Sequence, residues 1–170
     1  MAEGALQRYL DRLHRMKASN PDRDLPSPLV ISEEDAIWLD AAITGNPTRI
    51  GVLPQLPTNT LEIFLQEIPP GSATDLQRHA HETVHIVVSG SGYSEIGEAT
   101  VQWQAGCFIY TPPWAWHRHY NTSQETVRMI GVENSRLLEQ LGVARRESLG
   151  NITYAERPGA STAQTARKEV

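Results

Sequence analysis

The chain has a single cysteine, Cys107, among its 170 residues, so no intrachain disulfide can brace it and its stability must come from side-chain packing. No apolar stretch approaches the ~20 residues that a bilayer-spanning helix needs, and the N-terminal MAEGALQRYL lacks the apolar run of a signal peptide. No membrane partner and a cytoplasmic location are therefore expected. Basic residues are also few: 15 Lys and Arg against 20 Asp and Glu leave a net charge of −5. Nucleic acid is an unsuitable partner, because phosphate binding needs concentrated positive surface. What remains is a small-molecule partner. The length is too short for two ordinary domains, and no internal repeat is visible.

Leu6, Tyr9, Leu10, Leu13 and Met16 recur at helical spacing, which predicts an amphipathic helix over residues 2–18 that covers another surface or pairs with a second copy. After the proline-broken SNPDRDLPSP, Ser32 and Asp35 resemble a capping box opening a second helix that ends near Gly45. From Thr60 the period changes to two, with Leu61, Ile63 and Leu65 alternating against Glu62, Phe64 and Gln66 as in a half-buried strand. Short β-rich runs follow at 84–88, 92–97, 100–104, 107–111, 117–120 and 126–132, divided by turn sequences such as GSG, QAG and NTSQE. That spacing predicts an all-β sandwich or barrel. A short helix over SRLLEQL and a disordered tail, ERPGASTAQTARKEV, complete the chain. The expected organisation is an N-terminal helical arm over 1–57, a β-barrel over 58–133 and a C-terminal helix and tail over 134–170.

Residues 79–90, HAHETVHIVVSG, contain two metal patterns at once. His81, Glu82 and His85 spell the H-E-x-x-H of zinc proteases, which works only on a helix. His79, His81 and His85 spell H-x-H-x3-H, which suits a strand. Ile86, Val87 and Val88 running into a Gly-rich turn favour the strand. On it, His79 and His81 share a face about 6.6 Å apart, whereas His85 joins them only if the chain bends near Glu82–Thr83. A second segment, TPPWAWHRHYN, puts His117 and His119 on one strand face. Each histidine alone is better explained as a packed side chain than as a ligand. Five of the six histidines in two short segments point instead to a bound metal.

These residues resemble the two motifs of the cupin family. Gly106, Pro112, His117 and Asn121 stand at the spacing of G-x5-P-x-G-x2-H-x3-N, with Trp114 where glycine is usual. The first motif, G-x5-H-x-H-x3,4-E-x6-G, is matched more loosely, with His85 in the glutamate place. The resemblance covers roughly residues 58–133. It implies a double-stranded β-helix, a jelly-roll barrel, with a divalent metal held by His79, His81, His85 and His117. Within cupins, GCFIYTPPWAWHRHYN is similar to the matching stretch of gentisate 1,2-dioxygenase and its hydroxynaphthoate and salicylate relatives, which implies Fe(II) held by histidines without a carboxylate. Counted without gaps from Gly71, the H-x-H positions fall on Gln77 and His79 instead, so Gln77 and His81 stay as alternatives.

The function this implies is a non-haem iron dioxygenase acting on a small aromatic or chelating acid, because an all-imidazole site leaves the ion its full charge for an anionic substrate. His119 is the candidate base or hydrogen-bond partner, and Gln77, Tyr110, Trp114 and Trp116 are the candidate substrate contacts. The alternatives are a non-oxidative cupin using Zn, Ni or Mn as a Lewis acid (an isomerase, decarboxylase or lyase) and a non-enzymatic small-molecule-binding cupin. The amphipathic first helix and the exposed barrel edges make a homodimer the expected assembly.

Overall fold

The computed structural model describes residues 2–18 and 25–159. Helix α1 (Ala2–Ala18) forms where the apolar spacing places it. The capping box at Ser32 also forms, but it opens only a 3-10 turn at Glu33–Asp35. Strand β1 (Ile37–Leu39) follows, and α2 (Ala41–Thr44) is a single turn capped by Asp40 and closed by Gly45. The expected second helix is thus a correction. Ile37, Trp38 and Leu39 form a β-branched and aromatic run that gains more from pairing with β2 (Arg49–Val52) than from continuing a helix.

The remaining strands are β3 (Glu62–Ile68), β4 (Gln77–His79), β5 (Thr83–Ser89), β6 (Ser91–Ile96), β7 (Ala99–Gln104), β8 (Phe108–Thr111), β9 (His117–Asn121), β10 (Val127–Glu133) and β11 (Arg146–Ser148). They build two antiparallel sheets, one in the order β1-β2-β3-β10-β5-β8 and the other β11-β4-β9-β6-β7. Both sheets recruit strands from outside residues 58–133: β1 and β2 extend one edge, and β11 pairs with β4 on the other. The N-terminal arm is therefore only partly helical.

Ile68, Val87, Trp103, Ile109, Val127 and Met129 fill the space between the sheets, with Ile96 and Cys107 packed against them. Cys107 accordingly serves as a small apolar residue. Fixed parity along β3 makes Gln66, Phe64 and Glu62 face inward with the fully buried Ile68, while Leu61 lies on the exposed side. The period read from the sequence is correct, but the more polar set points inward. It does so because that part of the sandwich interior is a cavity lined by histidines and charged side chains as well as apolar ones, rather than a filled core.

Helix α3 (Ser135–Gln140) follows β10 directly. The chain then returns along the second sheet, where buried Arg118 holds Asn151 and the Ile152 carbonyl. Residues 156–159 of the tail expected to be disordered are held in place, since Arg157 is buried and bonds the Tyr154 carbonyl and Glu98. Residues 160–170 lie outside the described part.

Candidate metal centre

Residues 81–85 are not helical, which removes the H-E-x-x-H reading. The chain leaves the second sheet after β4, bends at Ala80–Glu82 and enters the first sheet as β5. Two bonds hold the bend: Ala80 N donates to the Arg145 carbonyl at 2.9 Å, and Glu82 N donates to Asn134 Oδ1 at 3.1 Å. This bend brings His85 across the sandwich to His119, with ring centroids 4.6 Å apart. His117 lies 4.7 Å from His79 and 5.7 Å from His119. His79, His85, His117 and His119 thus form one buried cluster drawn from both sheets.

His79 and His81 are arranged differently from the rest. Their rings stack, with centroids 3.7 Å apart and planes within 9°. A metal lies in the plane of each imidazole that binds it, so two rings stacked in this way do not both point at one ion as they stand. The stack separates His81 from the other candidate ligands; its Nε2 instead meets Glu133 Oε2 at 3.2 Å. Thr83 Oγ1 donates to the same carboxylate oxygen at 3.2 Å. Burial alone would raise the Glu133 pKa. The contacts with His81 and Ser135 outweigh it and hold the carboxyl below its usual value.

Burial keeps the clustered rings neutral. It lowers His79 and His85 to about 4 and His117 to about 3, and brings His119 well below the ordinary value, with neighbouring histidines lowering His79, His117 and His119 further. His79 Nδ1 lies 2.8 Å from the His81 carbonyl, and His117 Nδ1 lies 2.9 Å from the Ala115 carbonyl. A carbonyl can only accept, so both Nδ1 atoms carry the proton and both Nε2 atoms carry a lone pair. His117 Nε2, His119 Nε2 and His85 Nδ1 are buried without a protein partner. Such atoms are costly to leave unmatched. Among the described residues no three His, Cys, Asp or Glu side chains already surround a common point, so ligation requires the rings to turn toward one another. Neutral, carbonyl-oriented imidazoles with unmatched nitrogens are nonetheless the donor chemistry that a borderline divalent ion takes.

The cluster opens into a cavity of about 440 Å3. His79, His81, His85 and His119 line it, together with Gln77, Phe64, Ile50 and Val52, while Glu62, Glu133, Glu139, Arg145 and Arg146 supply its charges. Phe64 meets the His85 ring edge-on at 5.7 Å. Gln77 is turned to Arg146, whose Nε donates to its Oε1 at 3.0 Å.

Three expected substrate contacts are not on this cavity. Parity on β8 turns Ile109 and Thr111 inward and leaves Tyr110 exposed, its hydroxyl bonded to Glu82. Trp114 and Trp116 each lie 4.6 Å from the Arg78 guanidinium, an outer-face contact reinforced by the Arg78–Glu147 ion pair. Trp114 occupies the left-handed region at φ 61, which accounts for the glycine usual at this place.

Sequence reasoning missed Glu133, Arg145 and Arg146. For Glu133 the signal was present, because the parity that buries Val127, Met129 and Gly131 carries it inward. The two arginines come from the returning C-terminal segment, which no local pattern announces.

Residues 64–133 match the model of the Cupin domain family. Gentisate 1,2 dioxygenase 1 of Aquipseudomonas alcaligenes is 43% identical over 70 residues, 40% of this chain and 20% of that protein. The 5-aminosalicylate 1,2-dioxygenase of a Comamonas species is 29% identical over 103 residues, 61% of this chain and 26% of that protein. The chain thus spans only about a fifth to a quarter of these curated relatives. In structure it is similar to a variant of salicylate 1,2-dioxygenase from Pseudoaminobacter salicylatoxidans solved with gentisate, at TM-score 0.53 and 18% identity over 61% of this chain and 29% of the other. It is also similar to a cupin-2 domain from Rhodospirillum rubrum, at TM-score 0.53 and 22% identity over 68% and 79% of the two chains. Residues 64–133 of this chain are a cupin domain, distantly related in sequence to the gentisate- and salicylate-type ring-cleaving dioxygenases.

Proposed function

We propose that the chain is a metal-dependent cupin enzyme, a non-haem iron dioxygenase acting on a small aromatic or chelating acid. The observation that carries this reading is the buried cluster of neutral imidazoles opening into a cavity large enough for one aromatic ring. The cluster is His79, His85, His117 and His119, and three of these, His79, His85 and His119, also line the cavity. The sequence similarity to gentisate- and aminosalicylate-cleaving enzymes supports the same chemistry.

In this reading His79, His85 and His117 hold the ion, which is Fe(II). When bound, it supplies a centre on which an oxygen-bearing acid and O2 can be brought together. The protein groups do the rest. Carbonyl contacts at Nδ1 of His79 and His117 set the tautomer, so that Nε2 of each ring stays available. Glu133 holds His81 at the cavity wall, and Phe64, Ile50 and Val52 supply apolar surface against which a flat ring can lie. Arg145 and Arg146 place positive charge on the cavity lining, suited to a substrate carboxylate.

The test is metal analysis of protein purified without oxygen, followed by O2 uptake with gentisate, salicylate and related acids. The expected result is stoichiometric iron and substrate-dependent uptake. Stoichiometric zinc or nickel with no uptake would replace this reading with Lewis-acid chemistry, and a chain that takes up no divalent metal would end both.

A further inference from the structure

His119 differs from the other clustered histidines in what holds its Nδ1. Its partner is a hydroxyl, Ser94 Oγ at 2.6 Å, not a carbonyl. Ser94 stands directly opposite His119 in the β6–β9 pairing and is fully buried. The same oxygen accepts a bond from Trp103 Nε1 at 2.7 Å. Indole N–H can only donate, so the Ser94 oxygen is the acceptor in that bond. The Ser94 proton then has one partner among the described hydrogen bonds, His119 Nδ1.

The packing is built for this relay. Trp103 is paired with Gly92 and reaches Ser94, two residues further along β6, by lying across the glycine. A Cβ at Gly92 would stand 2.5 Å from the Trp103 ring and would overlap the Tyr120 carbonyl. Only glycine leaves room for the indole in this position.

We propose that Trp103 and Ser94 are positioning residues that fix His119 in the Nε2–H tautomer, so that it offers the cavity a hydrogen-bond donor for an anionic oxygen of the bound acid rather than a lone pair for the metal. His119 is 1% exposed and its Nε2 has no protein partner. His79 and His117 are fixed in the opposite tautomer by carbonyls. One cluster of chemically identical side chains is thereby divided into ligands and a donor by what sits behind each ring. The role assigned to the donor rests on the proposed function; the tautomer itself does not.

The full chain, labelled with 15N-histidine and stripped of metal, gives a direct test through long-range 1H–15N correlation at neutral pH, which separates protonated from unprotonated ring nitrogens. His119 is expected to be protonated at Nε2, and His79 and His117 at Nδ1. In Ser94→Ala, His119 should shift toward a mixture of tautomers while His79 and His117 stay unchanged. A wild-type His119 protonated at Nδ1 would overturn the inference without any variant having to fold. Iron titration supplies the second arm: Ser94→Ala should keep the wild-type metal stoichiometry, and loss of the metal on this substitution would also overturn it. A wild-type chain that binds no iron but shows the expected tautomers would remove the proposed function and leave the relay standing.

Discussion

His79 and His81 lie face to face, 3.7 Å between ring centroids, with only His79 turned toward the clustered His117. If His79 is a ligand and His81 a wall residue held by Glu133, the two substitutions separate. His79→Ala should abolish stoichiometric metal uptake, whereas His81→Ala should retain it, as read by metal analysis after gel filtration. Equal loss from both would show that the stack opens and both rings bind.

Acid should destabilise the metal-free protein. His79 and His85 have pKa values lowered to about 4 and His117 to about 3, against ~6.5 in an unfolded chain. Between these limits the unfolded state binds more protons than the folded one, so stability is present above pH ~6.5 and is lost as the pH falls toward 4. Thermal unfolding of chelator-treated protein from pH 8 to pH 4 should show Tm falling mainly below ~6.5. A flat profile across that range would show that these rings are not buried in neutral form.

Gly131 sits opposite both Phe64 and His85 on β10. A Cβ there would overlap the Phe64 ring, so Gly131→Ala should cost ~1–3 kcal/mol through overpacking. Denaturant unfolding checks the value. Combining it with Phe64→Leu should recover part of the loss, because the clash is with the ring and not with the backbone.

Trp114 belongs to the outer face. Trp114→Ala removes its stacking on Arg78 and should lower stability by ~0.5–1 kcal/mol, while affinity for a cavity ligand stays at the wild-type value. Calorimetric titration of the metal-loaded protein with salicylate is the measurement, and a large loss of affinity would place the tryptophan on the ligand after all.

Metal should stabilise the chain in proportion to its affinity. At a free concentration one hundred times Kd the gain is ~2.7 kcal/mol, read as a rise in the unfolding midpoint that chelator reverses. His117→Ala should remove the rise.

Much of this protein was legible in the order of its residues. Alternation and turn sequences marked the strands from β5 to β10, since period two and Gly-rich breaks are local properties. The histidine segments were legible for the same reason. Facing was harder to read: on β3 Ile63 and Leu65 point outward while Glu62 and Gln66 face the cavity, and the buried Gln66 and Ile68 fix the parity. Tertiary structure alone decided which histidines cluster. The bend at Ala80–Glu82 carries His85 across to His119 and leaves His81 stacked on His79, and it is held by Asn134 and Arg145, far along the chain. The state of each ring lies equally beyond local pattern, since an imidazole's tautomer depends on the atom behind it. Those atoms come from the turn before β9 for His117 and from β6 and β7 for His119. Sequence determined the supply of donors; long-range contacts determined which nitrogen each one presents.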